Sequence, residues 1–383
     1  MMNKRRVFSF AWLLVALVIF ASGCGGNNSD AGKGEIKIGL VGAMSGGGAI
    51  YGQQMKKGAE LAVEEINKAG GINGKQVKLI VEDDKGSPQE AVKATEKLVS
   101  QDKIDYWMGT VNSSNTLAAL EVTKKAGIPS MVPIATAEKI TEMGSKNIFR
   151  NCANNPMQVK ALVDYILANR PEKKFAILAE NTDYGRDLVK IFEENLTKGG
   201  GTILATEYYK PGDKDFYNQL TKIKALNPEG FLVAGMIAEG SQIVKQAREL
   251  GIRSQFYSFG GFMGNDPIKL SGEAAEGLIH TDYFSPVSGD PVIEKFVNGY
   301  KAKYGEVPDT YYSASLYDAV YLYKTAVEKA GSTDKDKVNQ AMSQIKDYQG
   351  VLGKITFDEK GQTITRVWIS QIKNGKQVVI FKP

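Results

Sequence analysis

The 383-residue chain has one histidine, His280, and two cysteines, Cys24 and Cys152. That inventory removes most acid–base and nucleophile–histidine arrangements, which need an imidazole beside the reacting group. No Gly-x-Ser-x-Gly elbow occurs. No Cys/His spacing suits zinc. Neither an enzyme nor a metal centre is expected, and no cofactor. Gly70 to Lys75 comes near a phosphate loop, but its spacing is one residue short and Gln76 follows the lysine. Glu82, Asp83 and Asp84 could hold a cation or a ribose; they read as a solvated strand end. The glycine-rich stretch from Gly42 to Gly52 is more informative. It lies between a strand and a helix, where backbone N–H groups and the helix dipole favour an anion. A dinucleotide fold uses this place too, with Glu82 or Asp83 as ribose ligand, but Gly-x-Gly-x-x-Gly is not met in register.

The elements that would position such a loop alternate regularly. Residues 35–41, 77–81, 106–109 and 130–133 read as strands, separated by helical stripes at 53–69, after Pro88, and at 116–126. The rhythm restarts near Asn155. Helices are expected at 158–169, 185–197, 215–226 and 240–250, and strands at 174–179, 202–209, 230–234 and 255–259. Two such runs predict two α/β lobes with parallel sheets covered on both faces. Residues 291–304 and 311–330 are helical by spacing. Residues 353–357, 366–372 and 378–381 predict an antiparallel meander with a turn at Asn374-Gly375.

The chain begins with Lys4, Arg5 and Arg6, then an apolar run from Val7 to Ala21, then Ala21-Ser22-Gly23-Cys24. Basic residues, a short apolar core and small residues before a cut form a secretory signal peptide. The last four resemble the bacterial lipoprotein box, which implies a signal peptide over 1–23 and a lipid anchor on Cys24. Residues 24–34, rich in Gly and Asn, read as a flexible tether. Lys and Arg number 48 against 43 acidic residues. Without the three basic residues of the signal the body is close to neutral, so nothing argues for nucleic acid. With Cys24 used, Cys152 has no disulfide partner and reads as a small buried filler.

A specific resemblance runs through the chain in order. Ile38 to Gly46, Tyr51-Gly52, Gly58 to Ala62, Glu65 to Gly74, Glu82 to Asp84, Pro133 to Ala137, Asp183 to Gly185, Gly212 to Phe216 and Phe357 to Gly361 resemble the leucine/isoleucine/valine-binding protein family, the type I periplasmic solute-binding proteins of ABC importers. The resemblance implies an α/β type I fold: two doubly wound parallel-sheet lobes joined by a three-strand hinge. Residues 35–153 plus 285–349 would form the N-terminal lobe, and 154–284 plus 350–383 the C-terminal lobe. It implies a ligand between closing lobes: an amino acid or a related small carboxylate or amide. The partners implied are an ABC permease and, through the lipid, the outer face of the cell membrane or the periplasm.

Residue by residue, Tyr51 matches an aromatic covering the ligand. Ser113 matches a hydroxyl donor to its carboxylate. Ile134, Ala135 and Thr136 match the segment that meets carboxylate and ammonium, and Tyr184 matches a second-lobe aromatic. Two positions depart from the family. The place of an acid that pairs with the ligand ammonium reads Phe259-Gly260-Gly261-Phe262, and a second-lobe aromatic is Met236. Either a nearby acid such as Glu239 takes over, or the ligand is not an ordinary α-amino acid. A ligand-sensing receptor module and an exported α/β enzyme are the other classes; the missing histidines and cofactor fingerprints argue against the enzyme.

Overall fold

The computed structural model describes residues 34–287 and 289–382. The expected signal peptide, the Cys24 anchor and nearly all of the tether lie outside the described residues. β1 (Ile36–Gly42) starts a strand–helix alternation through α1 (Ala49–Lys68), β2 (Val77–Asp83), α2 (Pro88–Lys97), β3 (Tyr106–Gly109), α3 (Ser113–Ala126), β4 (Ser130–Val132) and β5 (Ile148–Arg150). These strands form one parallel sheet in the order β2-β1-β3-β4-β5. Six of the seven β1 residues are buried, because helices cover both faces. That is why the sequence there turns continuously apolar rather than alternating.

The second sheet is built in the same way from α4 (Asn155–Asn169), β6 (Lys174–Glu180), α5 (Asp183–Lys198), β7 (Thr202–Tyr209), α6 (Tyr217–Leu226), β8 (Gly230–Ala234), α7 (Ile237–Glu249), β9 (Gln255–Ser258), α8 (Asp266–Ser271) and β10 (Ile279–Asp282). The chain then returns to the first sheet's side. α9 (Pro291–Tyr304) and α10 (Tyr311–Ala330) pack on α1, followed by α11 (Lys335–Ser343) and the short pair β11 (Tyr348–Gly350) and β12 (Gly353–Ile355). It crosses once more to add β13 (Trp368–Lys373) and β14 (Lys376–Phe381) at the edge of the second sheet, whose order is β14-β13-β10-β9-β8-β6-β7. The architecture is α/β with two parallel-sheet lobes, as expected.

Two local expectations change. Residues 353–355 do not join a three-strand meander; they pair with β11 in a separate hairpin, and only β13 and β14 form the expected antiparallel pair. The Asp318 carboxylate on α10 accepts the N–H groups of Val351 and Leu352 at 2.8 and 2.9 Å, which fixes that hairpin's turn to the first lobe. The turn at Asn374-Gly375 holds, with both residues at positive φ, as a two-residue hairpin linking right-twisted strands requires. Several helices also start earlier than the apolar stripe suggested: α1 at Ala49, α3 at Ser113 and α5 at Asp183. First turns carry small and polar residues, so hydrophobic periodicity misses them. The shift matters, because it moves Tyr51, Ser113 and Tyr184 from loops onto helix N-termini.

Candidate ligand site

The two sheets present the carboxyl ends of their parallel strands to one cleft. In the first sheet the chain order reverses at β1, whose parallel neighbours are β2 on one side and β3 on the other; in the second it reverses at β6, between β7 and β8. Such topological switch points leave a crevice between diverging connections. Each wall of the cavity there comes from a segment following a strand: Tyr51 after β1, Val111 to Ser113 after β3, Ile134 to Thr136 after β4, Thr182 and Tyr184 after β6, Met236 after β8, and Gly261 after β9. Gln158, Tyr311 and Tyr312 complete the lining. All six residues singled out by sequence, Tyr51, Ser113, Ile134, Ala135, Thr136 and Tyr184, surround this one cavity. About 430 Å³ of unfilled space lies among these residues, part of it open to solvent. The space is narrow, because the lobes are drawn together.

Hydrogen bonds across the cleft hold that arrangement. The Tyr51 hydroxyl donates to the Gly261 carbonyl at 3.0 Å and accepts from the Ile237 N–H at 2.7 Å. Tyr312 donates to the Gly260 carbonyl at 2.9 Å, and its ring meets that of Tyr51 edge-on with centroids 5.0 Å apart. Nearer the rim, Ser114 donates to Asp183 at 2.7 Å and the Glu138 N–H donates to Asp187 at 2.9 Å. Burial, with Tyr312 alongside, holds the Tyr51 phenol well above its ordinary pKa, so it remains a neutral donor and acceptor.

On the first-lobe side, the Ser113 hydroxyl accepts the Ala137 N–H at 3.2 Å, which leaves its own proton to give. The Thr136 hydroxyl makes no hydrogen bond within the chain among the described residues. The loop carrying Thr136 is braced from behind by Arg150. This fully buried guanidinium donates to the carbonyls of Ala135 and Ala137 at 3.3 and 2.6 Å, to Thr141 Oγ1 at 3.2 Å and to Gln362 at 2.5 Å. Gln362 lies on the third passage of the chain between the lobes, so one side chain ties that passage to the loop.

None of the fourteen lining residues carries a charge. Hydroxyls and backbone groups face a cavity walled by Tyr51, Tyr184, Tyr311, Tyr312, Met236 and Ile134, a lining suited to a small solute with one anionic or polar end and an apolar body. Glu239, considered as a replacement acid, is spent elsewhere: it accepts the Gly212 N–H at 2.8 Å and does not line the cavity. Gly260 N–H is taken by Gln158 at 2.9 Å. Tyr311, Tyr312, Gln158 and Thr182 were not singled out by sequence. Tyr311 and Tyr312 lie some 260 residues from Tyr51, and only the return of the chain through α10 brings them to the cleft.

The other candidates are structural. Asp83 accepts from Met44 N and Ser45 Oγ, which pins the glycine-rich loop, Glu82 pairs with Lys97, and Asp84 accepts from Asn115. Cys152 is buried beside Arg150, and burial pushes its thiol up to about 12. His280 is buried, and the cost of charging it there pushes its pKa down to about 4.

Residues 35–377 match the family model described as periplasmic binding protein. The chain is 32% identical over 349 residues to Leu/Ile/Val-binding protein homolog 3 of Brucella melitensis, covering 91% of this chain and 93% of the relative. It superposes with a TM-score of 0.84, at 33% identity and covering 91% of this chain and 100% of the other, on the branched-chain amino acid transporter substrate binding protein LivJ from Streptococcus pneumoniae in complex with isoleucine. A solute binding protein of an ABC transporter from Rhodopseudomonas palustris in complex with 3,4-dihydroxybenzoic acid gives a TM-score of 0.82 at 26% identity, covering 91% and 97%. With the two-lobed fold and its cleft cavity, these matches establish that the chain belongs to the periplasmic binding protein family.

Proposed function

We propose that this chain is the extracytoplasmic solute-binding component of an ABC importer, taking one amino acid or related small carboxylate or amide between its lobes. The observation that carries the reading is the cavity closed by Tyr51 across the cleft, with the unspent Thr136 and Ser113 hydroxyls on one wall and aromatic rings around it. Tyr51, Ser113, Ile134, Ala135, Thr136 and Tyr184 are its contacts: hydroxyls and backbone N–H groups for the carboxylate, rings for the body. Residues 35–153 plus 285–349 would move as one lobe, together with the β11–β12 hairpin that the expected bounds divide, and 154–284 with β13 and β14 as the other, about the three chain passages between them. A lining with no carboxylate, imidazole, amine or thiol to activate its hydroxyls supports binding without turnover. Cleavage before Cys24 and its acylation would keep the body beside its permease at the membrane surface.

A thermal-shift screen of the purified body over amino acids, aromatic acids and short amides tests the reading. At least one should raise the melting temperature in proportion to the logarithm of its concentration. A panel without effect, alongside a nucleotide cofactor that stabilises, sinks it. Mass spectrometry of the exported protein tests the anchor: Cys24→Ser should leave it without acyl chains and free of the membrane.

A further inference from the structure

Glu180 ends β6 and is only 2% exposed, yet its Oε2 has no hydrogen-bond partner among the described residues. Opposite it in register stands Tyr209 of β7, equally buried, with a hydroxyl that also lacks a partner among those residues. A short run of contacts joins this pair to the ligand cavity. The Tyr209 hydroxyl packs on Gly235 so closely that a Cβ there would fall 1.7 Å from it. Gly235 precedes the lining residue Met236. Its carbonyl and the Tyr184 hydroxyl lie 3.1 and 3.0 Å from where a Cβ on Gly261 would stand. The backbone of Gly235, with no side chain, stands between the Tyr209 hydroxyl and the lining residues Met236 and Gly261.

Two buried oxygens without partners are costly. The pair lies behind Gly235, which precedes Met236 in the wall of a cavity whose lining carries no charge and whose expected acid position is a glycine. We propose that Glu180, with the Tyr209 hydroxyl beside it, takes the ammonium group of a zwitterionic ligand whose carboxylate meets Ser113 and Thr136. This rests on the solute-binding reading above and narrows it to α-amino acids. Glu239 of α7 acts on Glu180, and Glu180 in turn acts on Tyr209 of β7, Tyr184 of α5 and Tyr51 of α1; none of these groups is a cation. Burial, and then Glu239, push the carboxyl up to about 8. The ligand-free chain therefore holds a proton there at neutral pH, and an arriving ammonium displaces it to solvent.

Calorimetric titration with L-leucine and with 4-methylpentanoate, the same body without the ammonium, is the test. Wild type should prefer leucine, release a proton on binding it, and bind it more tightly as pH rises from about 6 to about 8. Glu180→Gln should weaken leucine about tenfold or more and abolish the proton release, with 4-methylpentanoate unchanged. Tyr209→Phe should weaken leucine less and in the same direction. Leucine affinity unchanged in a folded Glu180→Gln, or a wild type that prefers 4-methylpentanoate, overturns the proposal while the solute-binding reading stands. Proton release is measured on wild type alone, so the proposal remains testable if the variants fail to fold; binding without release overturns it. A wild type that binds neither compound, nor any member of the wider panel, overturns the proposed function and this inference with it.

Discussion

The phenol oxygen of Tyr51, on the first turn of α1, accepts a hydrogen bond from the backbone N–H of Ile237, the first residue of α7, at 2.7 Å. One residue from each lobe thus satisfies the other at a helix N-terminus, where an orphan N–H would otherwise need solvent. When the lobes part, water can replace this bond, so its loss falls on the closed form. Tyr51→Phe leaves the Ile237 N–H and the Gly261 carbonyl without that partner only on closure. Ligand affinity should fall about tenfold, with the ligand-free melting temperature nearly unchanged. Calorimetry and thermal unfolding of the variant check this; an unchanged Kd would show that closure does not depend on the bond.

Thr136 supplies a hydroxyl that nothing among the described residues uses. Thr136→Val keeps the shape and removes the donor. Hydrogen bonds to charged groups are worth about 1.5–3 kcal/mol, so carboxylate ligands should bind about tenfold more weakly or worse. Stability should hardly change, because no internal partner is orphaned. Titration with the best ligand of the thermal-shift panel gives the answer, and equal affinity would remove Thr136 from the site.

Gly58 lets α1 and α10 touch. A Cβ there would stand 2.0 Å from the Ser313 carbonyl oxygen and 2.7 Å from its carbon, both backbone atoms that cannot swing aside. Gly58→Ala forces the helices apart and should cost about 2 kcal/mol or more. For a chain of this size that is a fall of several degrees in Tm. Denaturant or thermal unfolding measures it. A variant as stable as wild type would mean that the α1–α10 contact yields more readily than the spacing implies.

Asp318 should make stability depend on pH. Burial pushes its carboxyl up to about 7, against the hydrogen bonds from Val351 and Leu352. The folded state then binds the proton more tightly than the unfolded chain, so this stabilisation is greatest at low pH. It is lost as pH rises from about 4 to about 7 and is constant above. Asp282, pushed up to about 7 by burial, acts in the same direction. Exposed acids whose pKa is lowered by lysines, such as Glu64 beside Lys303, oppose it weakly because solvent screens them. Unfolding at pH 5 and pH 8 should show Asp318→Asn gaining on wild type as pH rises. A stability difference independent of pH would refute the assignment.

Much of the fold was legible because the physics is local. A strand buried on both faces must be apolar throughout, and a helix packed on a sheet must repeat its apolar residues at helical spacing, so β1, β6, α9 and α10 announce themselves. The 353–357 segment was misplaced because its apolar residues fit any strand, and its partner is chosen by the Asp318 contact from a distant helix. Helix starts at Ser113 and Asp183 were late because polar first turns carry no periodic signal. Those same first turns hold the cavity-lining Ser113 and Tyr184, so the candidate site lies where periodicity is least informative.

The sequence by itself determined the parallel-sheet lobes, the family and six residues around the cavity, because each is written in short motifs or in periodic burial. Tertiary structure alone decided that Tyr311, Tyr312 and Gln158 share the cavity, that Glu239 is spent on Gly212, and that Glu180 and Tyr209 are buried behind Gly235 without hydrogen-bond partners among the described residues. Those relations depend on which strand ends the chain's three passages bring face to face, and no local spacing encodes a distance across a cleft.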